Sequence, residues 1–270
     1  MSNLKIFCVT DKAVKFLENT NYNIGWVGKE TPPENYIPSD INDNIFSKEK
    51  YYSELTFHYW YWKNLLNLKS DEWVGFCQKR RYWIKKESLN INIDESNINE
   101  NLLVSIQDEW KKFNAVICEP VSINNVKKIK MIKRGFKSLM SNPSIFFNKK
   151  KQSINFHFDM HHGHGNLKKA IDVMNDNDRE EFRKYVNNSY IYHPHIMFIA
   201  KPFIVDKWFQ DLFTWLFRCE EIFGFENLKG FGKVRIYTFL AERFMPYWFR
   251  RNTKSTTMPI IFYDIRKDLN

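Results

Sequence analysis

The chain of 270 residues contains only four cysteines, and none of them lies close to another in the sequence. Cys8, Cys77, Cys118 and Cys219 each fall singly within an apolar segment. This spacing excludes a disulfide-rich secreted scaffold and the closely paired cysteines of common zinc sites. The cysteine pattern is typical of a protein that works in a reducing compartment.

Long hydrophobic runs are also missing. No apolar stretch reaches the roughly 20 residues that a helix needs to cross a bilayer. The opening segment 5–10 is too short, and too soon followed by charge, for a secretion signal. No glycine- or serine-rich linker and no repeat divides the chain. We therefore expect one domain over residues 1–270 in a soluble, cytoplasmic protein, or in one that sits peripherally on the inner membrane.

Acidic residues are absent from residues 120–158, although the whole chain carries 31 of them. The same stretch holds nine basic residues: Lys127, Lys128, Lys130, Lys133, Arg134, Lys137, Lys149, Lys150 and Lys151. The formal net charge of +10 favours anionic partners such as nucleic acid, phospholipid headgroups or nucleotide diphosphates. Charge alone does not choose among these partners.

Apolar residues recur at helical spacing within this basic stretch, at Val126, Ile129, Ile132 and Phe136. The pattern predicts a basic amphipathic helix within an insertion at about 120–156. Such a helix either docks on anionic lipid or packs on the core with a solvated basic face. Both interpretations remain open from the sequence.

Hydrophobic residues make up 43% of the chain and aromatic residues 17%, which is enough for a substantial core. Short apolar runs predict strands at 4–9, 24–27, 73–77, 115–118, 155–160, 196–200 and 259–263. Helical spacing predicts helices at 12–17, 47–64, 106–113, 167–173, 179–187, 203–223 and 235–249. The prolines at 32 and 33 predict an irregular loop over 31–43. Alternating strands and helices indicate an α/β fold.

The strand at 73–77 is followed directly by Gln78, Lys79, Arg80 and Arg81. Ligands of open α/β sheets bind at the carboxyl ends of strands. Arginine offers bidentate hydrogen bonds to phosphate and keeps its proton, so this segment suits a diphosphate. The alternative is a solvated loop with incidental charge.

Four of the seven histidines cluster with a carboxylate, at His157, Asp159, His161, His162 and His164. Such a group can bind a metal ion or supply a general base. The spacing matches no established zinc pattern, so a metal site is the weaker interpretation. The glycines at 163 and 165 are more simply explained by a tight loop.

Two further polar pairs have a structural and a functional interpretation. Asp43 and Asn44 follow the proline-rich loop and form either a turn or a sugar-binding pair. Glu242 and Arg243 lie in the last predicted helix and form either an internal ion pair or a ligand contact. The structural interpretation is favoured for both pairs.

Several blocks of sequence together resemble a family of bacterial glycosyltransferases from capsule and lipopolysaccharide gene clusters, long described as a domain of unknown function. The central block, Trp-Val-Gly-Phe-Cys-Gln-Lys-Arg-Arg-Tyr at 73–82, resembles the family's strand and His-Tyr-Arg-Arg-Tyr signature. Further similar blocks lie at 5–12, 43–48, 52–56, 59–64, 192–199 and 239–244. Gln78 and Lys79 replace the family's His-Tyr, and Ile196 replaces an Asn. These departures put donor and acceptor choice in doubt.

The resemblance implies a GT-A-like α/β domain with a central mixed sheet, flanking helices and a helix-rich C-terminal part. It also implies sugar transfer from a nucleotide-diphosphate donor to a lipid-linked or polysaccharide acceptor. Many GT-A enzymes hold Mn²⁺ or Mg²⁺ with an Asp-x-Asp after a central strand, where this chain has Gln78, Lys79 and Arg80. We therefore expect no metal cofactor, with Mn²⁺ or Mg²⁺ as the alternative, because oriented positive charge can neutralise the departing diphosphate.

This implied reaction assigns roles to residues in every block. Donor-binding residues are Thr10, Asp43, Asn44, Glu54, Lys79, Arg80 and Arg81. Acceptor-binding residues are His164, His195, Glu242 and Arg243. Asp159 is the expected base, with His161 or His162 as alternatives. A carboxylate base acting in a single displacement predicts inversion of the anomeric centre.

Two other classes of function remain open. A nucleic-acid-binding protein can show the same charge and interleaved aromatics, but Arg80 and Arg81 follow a buried strand and do not line a recognised binding module. We therefore expect no nucleic-acid partner. A non-catalytic scaffold in a capsule-building complex is also compatible with the sequence.

Overall fold

The computed structural model describes residues 3–94 and 96–263. Strands in this part of the chain are β1 (Leu4–Thr10), β2 (Asn23–Trp26), β3 (Tyr36–Pro38), β4 (Trp73–Gln78), β5 (Arg81–Trp83), β6 (Ala115–Cys118), β7 (Val121–Ser122), β8 (Ile191–Tyr192), β9 (Phe198–Ala200), β10 (Ser255–Met258) and β11 (Ile260–Phe262).

Helices of the same part are α1 (Lys15–Glu18), α2 (Glu49–Tyr52), α3 (Leu55–Asn64), α4 (Ile98–Asn101), α5 (Lys128–Ser141), α6 (Ser144–Phe147), α7 (Ile154–His162), α8 (Asn166–Asp172), α9 (Asp176–Asn188), α10 (Pro202–Phe223), α11 (Phe231–Val234) and α12 (Ile236–Asn252). Short 3₁₀ helices cover Phe46–Lys48, Lys86–Asn90, Asp108–Lys112 and Lys149–Lys151.

The central sheet of the described chain has nine strands. Seven of them follow the order β10-β6-β9-β4-β1-β2-β3, and β5 and β11 lie off this path. Strands β1, β2, β3 and β4 are mutually parallel, and β10 runs parallel to β6. Strand β9 is antiparallel to both of its neighbours, β4 and β6. The carboxyl ends of the parallel strands therefore meet at one edge of the sheet, where β9 begins. The predicted mixed sheet flanked by helices is confirmed.

One face of the sheet carries an aromatic ladder across three adjacent strands. Phe7, Phe76 and Phe198 are register partners on β1, β4 and β9, with ring centroids 5.8 and 5.2 Å apart. Helices α3, α10 and α12 cover this face, and α10 contributes Trp208 and Phe209. Since each buried aromatic side chain removes a large apolar area from water, this layer supplies most of the core.

The other face of the sheet is covered by short elements. Ile6, Cys8 and Ile199 point into a second core that includes α1 and the 3₁₀ helix Asp108–Lys112. Strand β5 returns antiparallel to β4, and β11 pairs with its outer side. Lys79 and Arg80 therefore form a tight hairpin turn between β4 and β5.

The segment 155–160, which alternates like a strand, is helix α7. Its N-terminus is capped by Ser153, whose Oγ accepts a hydrogen bond from the Phe156 amide at 3.3 Å. Phe156 and Met160 pack against α5, whereas Phe158 packs into the main core. A helix buried on two sides has apolar residues at two-residue spacing, and this explains the wrong prediction.

Three other predicted elements differ in detail. The segment 31–43, predicted as a loop, contains the edge strand β3. Pro38 has no backbone N–H to donate, and an edge strand tolerates this because its outer side has no neighbouring strand. The helix 47–64 is broken at Ser53, where φ is +50°. The helix 106–113 is the short 3₁₀ helix Asp108–Lys112.

The predicted basic helix is confirmed and lies at Lys128–Ser141. No helix in the described part of the chain is both long enough and apolar enough to cross a membrane.

Candidate active site

The carboxyl ends of β1, β2 and β4 open into a cleft. Two adjoining cavities, of about 440 and about 480 Å³, share Asp11, Val27, Phe231 and Arg235 as lining residues. Eight further residues line the first cavity: Val9, Thr10, Ser53, Glu54, Gln78, Lys79, Arg80 and Arg81. The cleft thus combines strand ends from the sheet with a wall from α11.

Asp11 and Lys79 form an ion pair across the cleft floor. They follow β1 and β4, which are parallel neighbours with Val9 opposite Gln78. Burial raises the pKa of Asp11, but Lys79 outweighs this effect and holds that pKa below its usual value. Asp11 is therefore ionised at neutral pH, and the charge of Lys79 is balanced within the protein.

Arg80 and Arg235 bring two guanidinium groups to the cleft. Among the described residues, neither forms an ion pair, but the charge of Arg235 acts on Asp11 and on Glu49, which lines the second cavity. The Nε atom of Arg80 is buried and has no hydrogen-bond partner among these residues, which costs free energy.

Glu54 lies at the start of α3 and accepts a hydrogen bond from the side-chain amide of Gln78. Arg81 Nη1 lies 3.5 Å from Gln78 Oε1. Burial lowers the pKa of Arg81, and the charges of Glu242 and Glu54 partly offset this effect. From the cleft inward, the side chains therefore follow the order Glu54, Gln78, Arg81 and Glu242.

That second carboxylate, Glu242 on α12, forms an ion pair with Arg243. It also accepts a hydrogen bond from the backbone amide of His195 at 2.8 Å. Burial raises the pKa of Glu242, but Arg243 and His195 outweigh it and lower the pKa to about 2. Glu242 and Arg243 therefore have the geometry of an internal ion pair, as the structural interpretation expected. His195 lies next to this pair.

Helix α7 brings three histidines to the same side of the molecule. The rings of His157 and His161 are 4.7 Å apart, and Arg243 Nη2 lies 3.4 Å from His157 Nδ1. His162 stacks on Phe239 and its Nδ1 lies 2.8 Å from the carbonyl oxygen of Gly232. These contacts connect α7 to α12 and to the α11 wall of the cleft.

The histidines of α7 are held neutral. Burial, followed by the charge of Arg243, lowers the pKa of His157 to about 3 and that of His162 to about 4. Burial, followed by the charges of Lys130 and Arg134, lowers the pKa of His161 to about 4. Neutral imidazoles next to arginines are hydrogen-bond partners and not positive charges.

Asp159 does not line the cleft, although it shares another cavity with His161. Its carboxylate accepts hydrogen bonds from Ser138 Oγ at 2.6 Å and from the Gly165 amide at 3.0 Å. His164 Nδ1 lies 2.9 Å from Asp159 Oδ2 and 2.8 Å from Ser138 Oγ. Because the serine and the carboxylate meet the same ring nitrogen, the group lacks the relay of a Ser-His-Asp triad.

Asp43 and Asn44 also lie outside the cleft. Asp43 accepts hydrogen bonds from the Tyr59 hydroxyl and from the Asn64 amide, at the end of α3 opposite to Glu54. Asn44 closes its own turn through the Phe46 amide. Thr10 does line the cleft, but its hydroxyl donates to the carbonyl oxygen of Lys12 at 2.7 Å.

Residues 5–253 match the family model described as "Domain of unknown function (DUF4422)". The chain belongs to the DUF4422 family. The expected membership of a family described as a domain of unknown function is thereby confirmed. No curated protein sequence matches the chain.

A solved structure shares the fold of this DUF4422 chain. It is described as the apo structure of the WbbM bifunctional glycosyltransferase, with a TM-score of 0.72 and 21% sequence identity. The match covers 97% of this chain and 46% of that one, so the chain spans about half the length of that relative. At this identity the similarity shows the fold.

Metal-ligating side chains are distributed sparsely over this DUF4422 fold. Across residues 3–94 and 96–263, no three His, Cys, Asp or Glu side chains converge as a metal-binding group. Asp11, the carboxylate closest to Lys79, is already engaged in its ion pair.

Asp11, Phe231 and Arg235 are among the cleft residues that sequence reasoning missed. Asp11 follows β1 as Lys79 follows β4, so the rule that located Lys79 also locates Asp11. Phe231 and Arg235 come from α11 and the residue after it, far along the chain from the sheet edge that they cover. No local pattern indicates them, because only the packing of α11 against α7 brings them there.

Proposed function

We propose that this chain is a glycosyltransferase that moves a sugar from a nucleotide-diphosphate donor to a growing capsular polysaccharide or lipopolysaccharide chain in the cytoplasm. The observation that carries the proposal is the pair of guanidinium groups, Arg80 and Arg235, that line a cleft at the carboxyl ends of parallel strands and form no ion pair with a described residue. The printed name of the structural relative, a bifunctional glycosyltransferase, agrees with this chemistry.

The guanidinium groups bind the diphosphate in this proposal. As the bond from the sugar to the diphosphate breaks, negative charge grows on the leaving oxygen, and Arg80 and Arg235 stabilise it. Lys79 holds Asp11 in place on the cleft floor through their ion pair. No metal ion is needed for this step, although Mn²⁺ or Mg²⁺ remains the alternative.

Glu54 takes the role of base in this proposal. Asp159 was expected there, but its carboxylate faces Ser138 and His164 outside the cleft. Glu54 accepts the proton of the acceptor hydroxyl, whose oxygen attacks the anomeric carbon as the diphosphate leaves with the bonding electrons. A single displacement of this kind inverts the anomeric centre. His161 was the expected alternative, but it does not line the cleft either.

In this proposal Glu242 and His195 act through Arg81, because neither lines the cleft and both interact with the charge of Arg81. The pKa of about 2 makes Glu242 a permanent anion and a weak base, which suits a hydrogen-bond acceptor and not a proton shuttle. Arg243 is a positioning residue because it touches Glu242 and is itself 2% exposed.

Thermal stabilisation by nucleotides tests the proposal. Purified protein is heated with a panel of nucleoside diphosphates and nucleotide sugars, once with EDTA and once with Mn²⁺. We expect a shift with one nucleotide that survives EDTA, is lost in Arg80→Ala, and is retained in Arg250→Ala, which changes an exposed arginine outside the cleft.

Other outcomes of this experiment count against parts of the proposal. A shift that requires Mn²⁺ contradicts the metal-free step. No shift with any nucleotide contradicts the donor site, and salt-sensitive binding of random oligonucleotides in its place would favour a nucleic-acid-binding protein. A shift without sugar release in an acceptor screen would favour a non-catalytic scaffold.

A further inference from the structure

Helix α5 presents four large apolar side chains to solvent in a continuous stripe: Ile129, Ile132, Phe136 and Met140. Their spacing of three, four and four residues places them along one side of the helix. Ile129 is 71% exposed and Met140 68% exposed. We call these four residues the α5 stripe. A stripe of this size on a soluble surface marks an interaction site.

The α5 stripe is not the face that holds the helix on the protein. Met131, Gly135 and Ser138 are the buried residues of α5, and they lie on the opposite side of the helix. Gly135 allows the backbone to approach α7 closely, because a Cβ atom there would lie 2.8 Å from the Phe156 ring. Packing of α5 is therefore complete without the stripe.

Positive charge borders the α5 stripe without any compensating acid. Lys133 and Lys137 lie on α5 next to the stripe residues, and both are exposed. Phe147, which is 81% exposed on α6, and the three lysines of the 3₁₀ helix Lys149–Lys151 continue the surface in sequence. Across 120–158 no acidic residue interrupts it.

We propose that the outer face of α5 docks this protein on the surface of an anionic phospholipid bilayer. The α5 stripe enters the boundary between headgroups and acyl chains, and the flanking lysines meet the phosphates. A nucleic acid would satisfy the lysines but would leave four large apolar side chains in water. The apolar stripe therefore decides between the two polyanions.

Helix α5 is connected to the wall of the cleft through α7. Arg134 Nη1 on α5 lies 3.4 Å from His161 Nδ1 on α7, and the carbonyl oxygen of His161 abuts Gly232 on α11. Phe231, next in sequence to Gly232, lines the cleft and is 80% exposed. If the proposed sugar transfer holds, the docked enzyme meets a lipid-linked acceptor at the membrane surface. The docking itself does not depend on that reaction.

Co-sedimentation with vesicles tests the docking without any nucleotide or sugar. The probes are phosphatidylcholine vesicles with and without phosphatidylglycerol. We expect binding only with phosphatidylglycerol, and weaker binding at high salt. Ile129→Ser/Phe136→Ser should reduce the partition coefficient about tenfold or more, because two apolar side chains are lost from the interface. Lys133→Glu/Lys137→Glu should reduce it about as much.

Two matched double variants control for general effects on charge and stability. Leu68→Ser/Phe203→Ser removes two side chains that are 57% and 53% exposed near the opposite edge of the sheet. Lys69→Glu/Lys112→Glu reverses two exposed charges just before β4 and β6. We expect both controls to bind vesicles as the unchanged protein does.

The proposal is overturned by vesicle binding that ignores phosphatidylglycerol or the α5 variants. It is also overturned if the protein binds random oligonucleotides through the same lysines but not vesicles. Nucleotide-induced thermal shifts of the α5 variants separate the two proposals, since these variants keep the cleft. If the protein binds vesicles but shows no thermal shift with any nucleotide, the proposed sugar transfer is rejected and the proposed docking is retained.

Discussion

The carboxylate of Glu242 forms an ion pair with the guanidinium group of its own neighbour in the sequence, Arg243. Consecutive residues of a helix point about 100° apart, so this contact requires both side chains to bend toward each other. Tyr192 and Phe158 flank the guanidinium, with centroids 4.7 and 5.9 Å away. The pair is therefore a buried junction between α12, α7 and the segment before β9.

Removal of Arg243 should destabilise the protein strongly. In Arg243→Met the carboxylate of Glu242 remains largely buried without its partner, and we expect a loss of about 3–5 kcal/mol in the free energy of unfolding. Urea denaturation measures this change. The exposed ion pairs of Arg251 give the comparison, since Arg251→Ala should cost less than about 1 kcal/mol. Equal effects of the two variants would contradict the buried junction.

The identity of the base can be decided by two isosteric variants. Glu54→Gln keeps the shape of the cleft but removes the proton acceptor, so we expect turnover to fall about 10²–10⁴-fold with little change in nucleotide binding. Asp159→Asn should reduce thermal stability, because it disturbs the contacts to Ser138 and His164, and should leave turnover of the folded enzyme nearly unchanged. The reverse result would return the role to Asp159.

The protein should become less stable as the pH is lowered, in part because of His157. Its pKa is about 3 in the folded protein and about 6.5 in the unfolded chain, so only the unfolded chain gains a proton between these values. The free energy of unfolding then decreases with falling pH by up to about 1.4 kcal/mol per pH unit from this group alone.

Denaturation curves between pH 7 and pH 4 test the histidine effect. His157→Gln should show a smaller dependence on pH than the unchanged protein, while the lowered pKa values of His161, His162 and His195 leave part of the slope. Glu242, whose pKa is also lowered, adds to the loss of stability only below its unfolded value, as pH falls toward about 2. Parallel curves for variant and parent would refute the role of His157.

Strands of the sheet were predictable wherever burial on both faces makes an apolar run. The prediction at 115–118 coincides with β6, and that at 73–77 misses only the last residue of β4. The strand β10 was missed because its residues, Ser255 to Met258, lie at the sheet edge and are mostly polar. Burial on one side or two, rather than intrinsic preference, decides which strands a sequence pattern indicates.

The candidate site was predictable only in its local half. Arg80 and Lys79 are found by the rule that ligands bind after buried strands. The helical form of α7 could not be deduced from a stretch interpreted as a strand, and its Asp159 does not line the cleft, whereas Glu54 does. Contacts between α5, α7 and α11 join distant parts of the chain, and no window of sequence contains them.

The pairing of β5 with β11 has a consequence for how the protein is made. Arg81 belongs to a strand whose outer neighbour, β11, is synthesised long after it. Strand β6 likewise waits for β10 before its own outer side is covered. A nascent chain therefore holds two unpaired strand edges until β10 and β11 have been made, and chaperones have reason to guard them. The basic hairpin next to the cleft takes its final place only when translation of these late strands is finished.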